Sequence, residues 1–491
     1  MMSAPVLEAV IAETLRIPLA DVTDDLEYQM GRWDSLGHVE LMLALEAAYG
    51  VAIAGDEVSE LGSVRAIRDW LVARQPGRRR LARGSRSHYN SAPPFGGAAR
   101  SGEPDLARFP AAEAPTVPAR GEDVRRGLDG VVFDRTTITS IDSARGALHH
   151  RGYAIGELVA RSHFEETAYL LLFGELPAAH ELADFQRAVR AQRALPPAVI
   201  QLLGALASAH PMDALRTAVS ALAAFDPDRH DASPGAALNK GIRLIAQLPT
   251  IVATFHRLRW GAVVHGPSPE LDPAEDFLHQ LFGRVPDADA RAVLHQDLIL
   301  HADHGANAST FAARVVTSTG ADLHGAITAA LAAFSGPLHG GAVENVLKMA
   351  REIGHPACAA AYVAARRAAG EPVMGFGHRV YKVEDPRAIA LRRLAARLAA
   401  SRGDTRLFEI LEAVVLAMQP QASHGLVVNV DLYASVIYHL LGIPDDLSVP
   451  VFVIGRIAGW VAQILEQLAG NILIRPRMAY IGAPPRAFPP R

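Results

Sequence analysis

Cysteine is almost absent from this chain: Cys358 is the single one in 491 residues. That excludes an internal disulfide framework and a thiolate-based zinc site, and it leads us to expect a reducing, cytoplasmic setting. Charge of one sign is lacking too. The formal net charge is −4, which points to neither nucleic acid nor an anionic membrane as partner. Long apolar runs are also missing. The most apolar late stretch, Val449 to Leu465, is interrupted by Arg456, so no unbroken run reaches the roughly 18 residues of a membrane span. The opening MMSAPVLEAVIAETL has no basic region ahead of an apolar one, so no secretory signal is expected. Neither a GxxxxGK phosphate loop nor a GxSxG nucleophile elbow occurs. What remains is 50% hydrophobic and 20% charged, an ordinary globular composition in a chain long enough for two or three domains.

Residues 1–75 read as a small helical unit. Val6, Leu7, Val10, Ile11 and Leu15 recur at helical spacing. A second helix is expected from Ser35 to Ala48 and a third from Ser63 to Ala73, each with one apolar face. Residues 1–73 hold thirteen acidic against four basic side chains, a net of −9. Residues 76–122 lose all apolar periodicity and are dominated by Pro, Gly, Ser, Arg and Ala, including the run RRR. Such a segment cannot bury enough surface to offset its ordering entropy, so a flexible linker is expected. The basic run could meet nucleic acid or the acidic unit, but nothing else in the chain resembles nucleic-acid recognition. Residues 123–491 are expected to be mostly helical. They open with a short strand pair within Val131 to Ser143 and continue as Ala/Leu-rich amphipathic segments broken by Gly and Pro.

Ser35 stands in WDSLGHVEL, at the head of the second helix. A serine there can simply cap the helix. It can also carry a phosphate, because the free N–H groups and the dipole at that end favour an anion. DSL ahead of an amphipathic helix, in an acidic unit of this size, resembles the acyl carrier proteins, with AYGVAI and SVRAIRDWL agreeing downstream. The resemblance implies a four-helix bundle with Ser35 bearing a 4′-phosphopantetheine arm, attached by a phosphopantetheinyl transferase and loaded by biosynthetic enzymes.

In the later residues, three histidines keep unusual company: His304 in HADHGANAS, His339 in SGPLHGG and His378 in GFGHRVY. Glycines around the last two let a ligand approach closely. Arg387, Arg456, Arg475 and Arg477 follow. Arg456 lies in an apolar helix and needs an anion there, either a structural carboxylate or a substrate's. Asp431 in NVDLY is an acid in apolar surroundings, where burial raises the pKa and suits it to proton abstraction. His301 and His304 share a metal-ligand spacing but lack a convincing third ligand.

Six blocks, GVVFDRTTITSIDSARGALHHRGYAIGEL, HADHGANASTFAARVV, GPLHGGAVENVLKM, GFGHRVYKVEDPR, NVDLYASVIYHLLGIP and LIRPRMAYIG, resemble the citrate synthase family in order and spacing from about Gly127 to Gly482. The length is similar to the compact prokaryotic type, which includes 2-methylcitrate synthases. The resemblance implies an all-α fold apart from a short N-terminal β-hairpin. Its large domain would take in about 123–340 and 441–491, and its small domain about 341–440. It implies that Asp431 removes the α-proton of an acyl thioester, that His339 holds the enolate oxygen and that His378 polarises the oxaloacetate ketone. His304, Arg387, Arg456 and Arg475 would hold oxaloacetate, Arg475 from the partner subunit of a homodimer. Arg379 and Lys382 would lie near coenzyme A. No metal is implied. Two residues depart from the family pattern: Gly305 stands where Glu or Gln is usual, and Val343 where Asn is usual.

The fusion leads us to expect that the carrier's own thioester replaces or competes with acyl-CoA. A flexible linker of forty-odd residues reaches about 35–40 Å and gives an effective concentration of about millimolar. The alternatives are a 2-methylcitrate synthase using free propionyl-CoA with a docking or regulatory carrier, and a non-catalytic scaffold that binds carrier partners.

Overall fold

The computed structural model describes residues 6–26, 33, 35–49, 51, 53, 61–74, 124–128, 130–340, 342–378, 380–381 and 383–486. By contact the chain falls into two units. Met1–Arg68 and Thr136–Ile474 form one, and Asp69–Arg135 with Arg475–Arg491 form the other.

The N-terminal stretch forms the helices Leu7–Leu15, Ser35–Tyr49 and Val64–Arg74, with a 3-10 turn at Leu19–Asp21. Leu7, Val10, Ile11 and Leu15 of the first helix and Val64, Ile67 and Leu71 of the third are buried, as their spacing predicts, whereas Val6 is exposed; the expected face of the second, Leu36, Val39 and Leu43, lies outside the described side chains. The basic minority is used for cross-links: Arg68 pairs with Glu8 at 2.5 Å and also with Asp24. Helix boundaries match the expectation to within about a residue. Residues 54–60 and the expected linker lie outside the described residues.

The strand pair is shifted from its expected place. Val131–Thr137 forms no strand. β1 (Thr139–Asp142) pairs antiparallel with β2 (Ala147–His150), which pairs with β3 (Tyr153–Ala154). The turn explains the shift. Asp142 Oδ1 accepts the amides of Ala144 at 3.1 Å and Arg145 at 3.0 Å, an Asx turn that ends one strand and starts the next. β-branched composition marked the region, but the turn residue sets the register.

Most of the remaining chain is helical, and Asp or Asn caps begin several of the helices. Asp272, Asp287, Asn307, Asp322 and Asp385 each accept an N-terminal amide, and Pro follows Asp272 and Asp385 at the first helical position. One group of helices packs around Ser448–Ala469, with Pro234–Arg259, Phe164–Phe173, Ala288–His301 and Ala308–Ser318 against it. A second group, Ala342–Ile353, Ala359–Ala368, Pro386–Arg402, Arg406–Met418 and Asp431–Leu440, packs mainly on itself. The helix Ser448–Ala469 corrects one expectation: Asp445–Ala469 is long and apolar enough by composition to cross a membrane. Its most apolar window is wholly buried inside the protein, so it is the core helix of this body.

One face of that helix is built for close approach. A Cβ on Gly455 would stand 2.7 Å from the carbonyl oxygen of Leu298, and one on Gly459 would collide with the carbonyl oxygen of Ala302. With hydrogen there instead, the Gly459 amide donates to Ala302 O at 3.0 Å. This seats the segment that leads into His304. Gly459→Val should therefore lower stability by about 1–3 kcal/mol or more through overpacking. Thermal unfolding checks this, and an unchanged melting point would contradict the packing argument.

Candidate active site

The helix Ala288–His301 ends where residues 302–307 turn toward the helix Ala308–Ser318. Two interactions shape that turn. Asp303 Oδ2 accepts the Gly305 amide at 3.0 Å and Gln463 Nε2 at 3.3 Å. Asn307 Oδ1 caps the next helix through the Thr310 amide at 3.1 Å. Gly305 has φ +57°, the left-handed region a side chain disfavours. The departure from the family pattern at this position thus has a backbone reason. His304 is buried and faces His378, with ring centroids 5.4 Å apart. The other departure, Val343, is buried in the first turn of Ala342–Ile353.

His339 is fixed from the head of the helix Ala308–Ser318. The Ser309 amide donates to His339 Nε2 at 3.3 Å, and Ser309 Oγ lies 2.9 Å from the same nitrogen. With Nε2 accepting from the amide, which can only donate, the neutral ring carries its proton on Nδ1; the Ser309 Oγ contact by itself fits either tautomer. Nδ1 has no partner among the described residues, which leaves an N–H for a ligand. Ser309 Oγ is held in turn by Asn307 Oδ1 at 2.7 Å and Trp460 Nε1 at 3.3 Å.

His378 and Asp431 are joined by a short backbone pairing. Phe376 and Val428 form an antiparallel bridge. The Gly377 amide donates to Val427 O at 2.8 Å and the Asn429 amide to Gly375 O at 3.0 Å. A sequence separation of 52 positions is thereby closed. His378 Nδ1 accepts the amides of Val380 at 2.9 Å and Tyr381 at 3.0 Å, so its proton sits on Nε2. Asp431 opens the helix Asp431–Leu440 and is half-buried. Its amide is held by Asn429 Oδ1 at 3.0 Å, and its carboxyl has no hydrogen-bond partner among the described residues.

Two buried guanidinium groups complete the cluster. Arg387 is forked onto Asp385, Nε to Oδ1 at 3.1 Å and Nη2 to Oδ2 at 2.7 Å. Burial opposes the charge on both partners, but each holds the other ionised: Arg387 is raised and Asp385 lowered. Arg456 has no carboxylate within 4 Å among the described residues. Its Nε donates to His301 O at 2.6 Å, and its guanidinium carbon lies 5.0 Å from the Phe452 ring centroid. Burial, then the like charge of Arg387, lowers it to about 9. Of the two readings open for Arg456, the structural ion pair is not found among the described residues.

Burial and these cations keep the histidines neutral. His339 is lowered to about 4 by burial and Arg456, and His378 to about 4 by burial and Arg387. His304 falls well below its usual value for the same reasons. Asp431 moves the other way, raised by burial to about 7 against the pull of Arg387 and Arg456. The result is a half-buried base poised near neutrality, beside neutral N–H donors and an unpaired cation. That set can take a proton from a carbon acid and hold an anionic ligand.

His304, His339, His378, Arg387, Arg456 and Asp431 are thus gathered in one unit. Arg475 is exposed and belongs to the other unit, so it is not among the gathered residues. Arg379 and Lys382 lie outside the described residues. Ser35 is the first residue of its helix, and its side chain is outside the described set. At that helix head, Trp33 Nε1 donates to buried His38 Nδ1 at 3.0 Å. Ser309, Tyr381 and Asp385 lie inside the motifs without a role read from the sequence, and the structure sets them against His339, His304 and Arg387. Asp385 was findable, because Asp before Pro is a cap signal. His304, His378 and Asp385 bring donor atoms within 4.8 Å of one another. Both Asp385 oxygens are engaged by Arg387, and two guanidinium groups in the same field disfavour a further cation.

Two stretches of the chain match known protein families. Residues 127–477 match the family described as citrate synthase, C-terminal domain, and residues 5–71 match the phosphopantetheine attachment site. The 2-methylcitrate synthase of Mycobacterium tuberculosis is 44% identical over 377 residues, covering 77% of this chain and 95% of that protein. Citrate synthase 2 of Bacillus subtilis is 41% identical over 370 residues, covering 74% and 98%. Among solved structures, the citrate synthase of Pyrobaculum aerophilum superposes with a TM-score of 0.71 at 40% identity, covering 74% of this chain and 94% of that one. The Thermoplasma acidophilum enzyme, solved as a ternary complex with carboxymethyl coenzyme A and oxaloacetate, gives 0.72 at 31% identity, covering 75% and 99%.

Asp431 makes a signed pH prediction. Its folded pKa of about 7 lies above an unfolded value of about 3.9. The ionised group therefore costs nothing below pH ~4, an increasing amount between 4 and 7, and its full penalty above 7. Asp431→Asn should raise the melting temperature more at pH 8 than at pH 4, while lowering turnover by about 10²–10⁴. Melting curves at the two pH values and a rate measurement check both halves. An equal change in stability at both would show that Asp431 is not so raised.

Proposed function

The chain belongs to the citrate synthase family, and from that premise we propose that it joins the α-carbon of an acyl thioester to the ketone carbon of oxaloacetate, giving citrate or an alkylcitrate. The observation that carries this reading is Asp431, a carboxyl raised to about 7 in the field of two buried guanidinium groups. A thioester α-proton is a very weak acid. Asp431 takes it, and the electron pair moves toward the thioester oxygen, where His339 Nδ1–H meets the developing charge. A preorganised donor at such a point contributes about 3–4 kcal/mol, two to three decades in rate. The enol carbon then attacks the ketone carbon. The ketone's π pair goes to its oxygen, which takes the proton from His378 Nε2; the proton held by Asp431 returns through solvent to His378, so both groups end as they began. Water finally cleaves the thioester, giving its hydroxyl to the acyl carbon and its proton to the departing thiolate. Arg456 and Arg387 orient the dicarboxylate throughout.

The helices between 341 and 440 are read as a small domain that closes on the large one and excludes water during condensation. The enzyme is read as a homodimer in which Arg475 serves the partner subunit. Ser35 is read as the attachment point of the phosphopantetheine arm, which would supply a thiol able to hold an acyl group. The presence of a carrier module in the same chain favours that carrier-borne thioester as donor over free acyl-CoA.

One experiment addresses both levels. The chain is pantetheinylated, loaded with acetyl or longer acyl groups and given oxaloacetate, and its intact mass is read. A citryl-sized gain, or oxaloacetate-dependent loss of the acyl group, is expected, and Ser35→Ala should abolish loading. Thiol release from free acetyl- or propionyl-CoA with an unchanged carrier mass would overturn the carrier-donor reading. No condensation from either donor would overturn the enzymatic one. In the same assay His339→Ala should lower the rate by about two to three decades.

A further inference from the structure

Tyr381 lies where the His304 and His378 segments meet. It is 2% exposed. Its hydroxyl is 3.3 Å from His304 Nε2, and its ring centroid lies 5.5 Å from that of His304 and 4.7 Å from that of His378. Its amide is one of the two that fix His378 Nδ1. His304 follows a helix of the first group and Tyr381 precedes one of the second, so the contact links the two groups of helices. We infer that Tyr381 is a positioning residue: its hydroxyl donates to His304 Nε2 and so keeps the His304 proton on Nδ1, as a hydrogen-bond donor toward the 2-oxo acid.

Hydrogen-bond supply fixes the direction of the bond. A buried hydroxyl needs an acceptor, and His304 Nε2 is the acceptor the Tyr381 hydroxyl has among the described residues. Donation the other way would leave the phenol proton unmatched and give His304 a bare lone pair at Nδ1. A lone pair is the wrong partner for a dicarboxylate held beside Arg387 and Arg456. Burial raises the Tyr381 hydroxyl well above its usual range, so it stays protonated and able to donate. The role is separable from that of the second histidine. His378 is held by backbone amides, which survive any side-chain change at 381, whereas His304 has the phenol as its one hydrogen-bond partner among the described residues.

The inference rests on the oxaloacetate reading, and the test separates the two. Oxaloacetate binding is measured by calorimetry on the full-length wild type, Tyr381→Phe, His304→Asn and the double variant. Tyr381→Phe should weaken binding about tenfold, the effect of one buried hydrogen bond, and raise the KM for oxaloacetate with that for acyl-CoA unchanged. In the His304→Asn background it should add no further loss, because the effect passes through His304. Nitrogen-15 spectra of the histidine-labelled wild type, with His304 assigned through His304→Asn, should show it protonated at Nδ1. Unchanged oxaloacetate binding in Tyr381→Phe, multiplying losses in the double variant, or a proton at Nε2 would each overturn the inference. Wild type that binds no oxaloacetate would overturn the functional reading instead.

Discussion

The site depends on a guanidinium bonded to a carbonyl rather than to a carboxylate. Arg456 donates from Nε to His301 O at 2.6 Å, and no carboxylate lies within 4 Å of it among the described residues. The bond is possible because Gly455 and Gly459, on either side along the same helix, let the backbone of 298–303 come close. Aromatic faces of Phe452 and Phe334 cover the guanidinium at 5.0 and 6.0 Å, which helps hold a cation where water is scarce. A buried cation without a counter-charge is expensive. A buried guanidinium with no carboxylate beside it among the described residues is a position where an anion can be held.

The same burial disciplines the histidines. Imidazoles near two guanidinium groups are driven neutral, and a neutral imidazole has one donor and one acceptor. The protein uses the acceptor itself in each case with a visible partner: Ser309 N–H on His339 Nε2, and the Val380 and Tyr381 amides on His378 Nδ1. The donor Nδ1 of His339 has no partner among the described residues, while the donor Nε2 of His378 lies 3.6 Å from Asp385 Oδ2. Backbone amides cannot reverse, so these tautomers are set by the fold. His304 differs in facing a hydroxyl, which can rotate, and its state depends on a side chain from the other group of helices.

Legibility in sequence followed locality. Helices whose caps and apolar faces lie within a dozen residues were readable, and so were histidines and arginines marked by glycine or by an apolar setting. The match to Ser35–Tyr49 and Val64–Arg74 is of that kind. The first strand was misplaced because β-branched composition spans 131–143 while Asp142 alone starts the turn. Ser309 and Tyr381 went without roles because their meaning lies in residues 30 and 77 positions away, and no periodicity records such distances. The choice between readings of Arg456 needed coordinates as well, since a missing counter-ion has no signature in a sequence.

The electrostatics also tie the carboxyl to the cations. Asp431 sits at about 7 as the balance between burial and Asp385, which raise it, and Arg387 and Arg456, which lower it. An anion beside those arginines would cancel part of their pull while burial remains, and so would raise Asp431 further. A higher pKa makes the carboxylate a stronger base but leaves less of it ionised at pH 7, so the two effects oppose one another. The two guanidinium groups therefore set the proton affinity of Asp431 as well as the charge of the pocket.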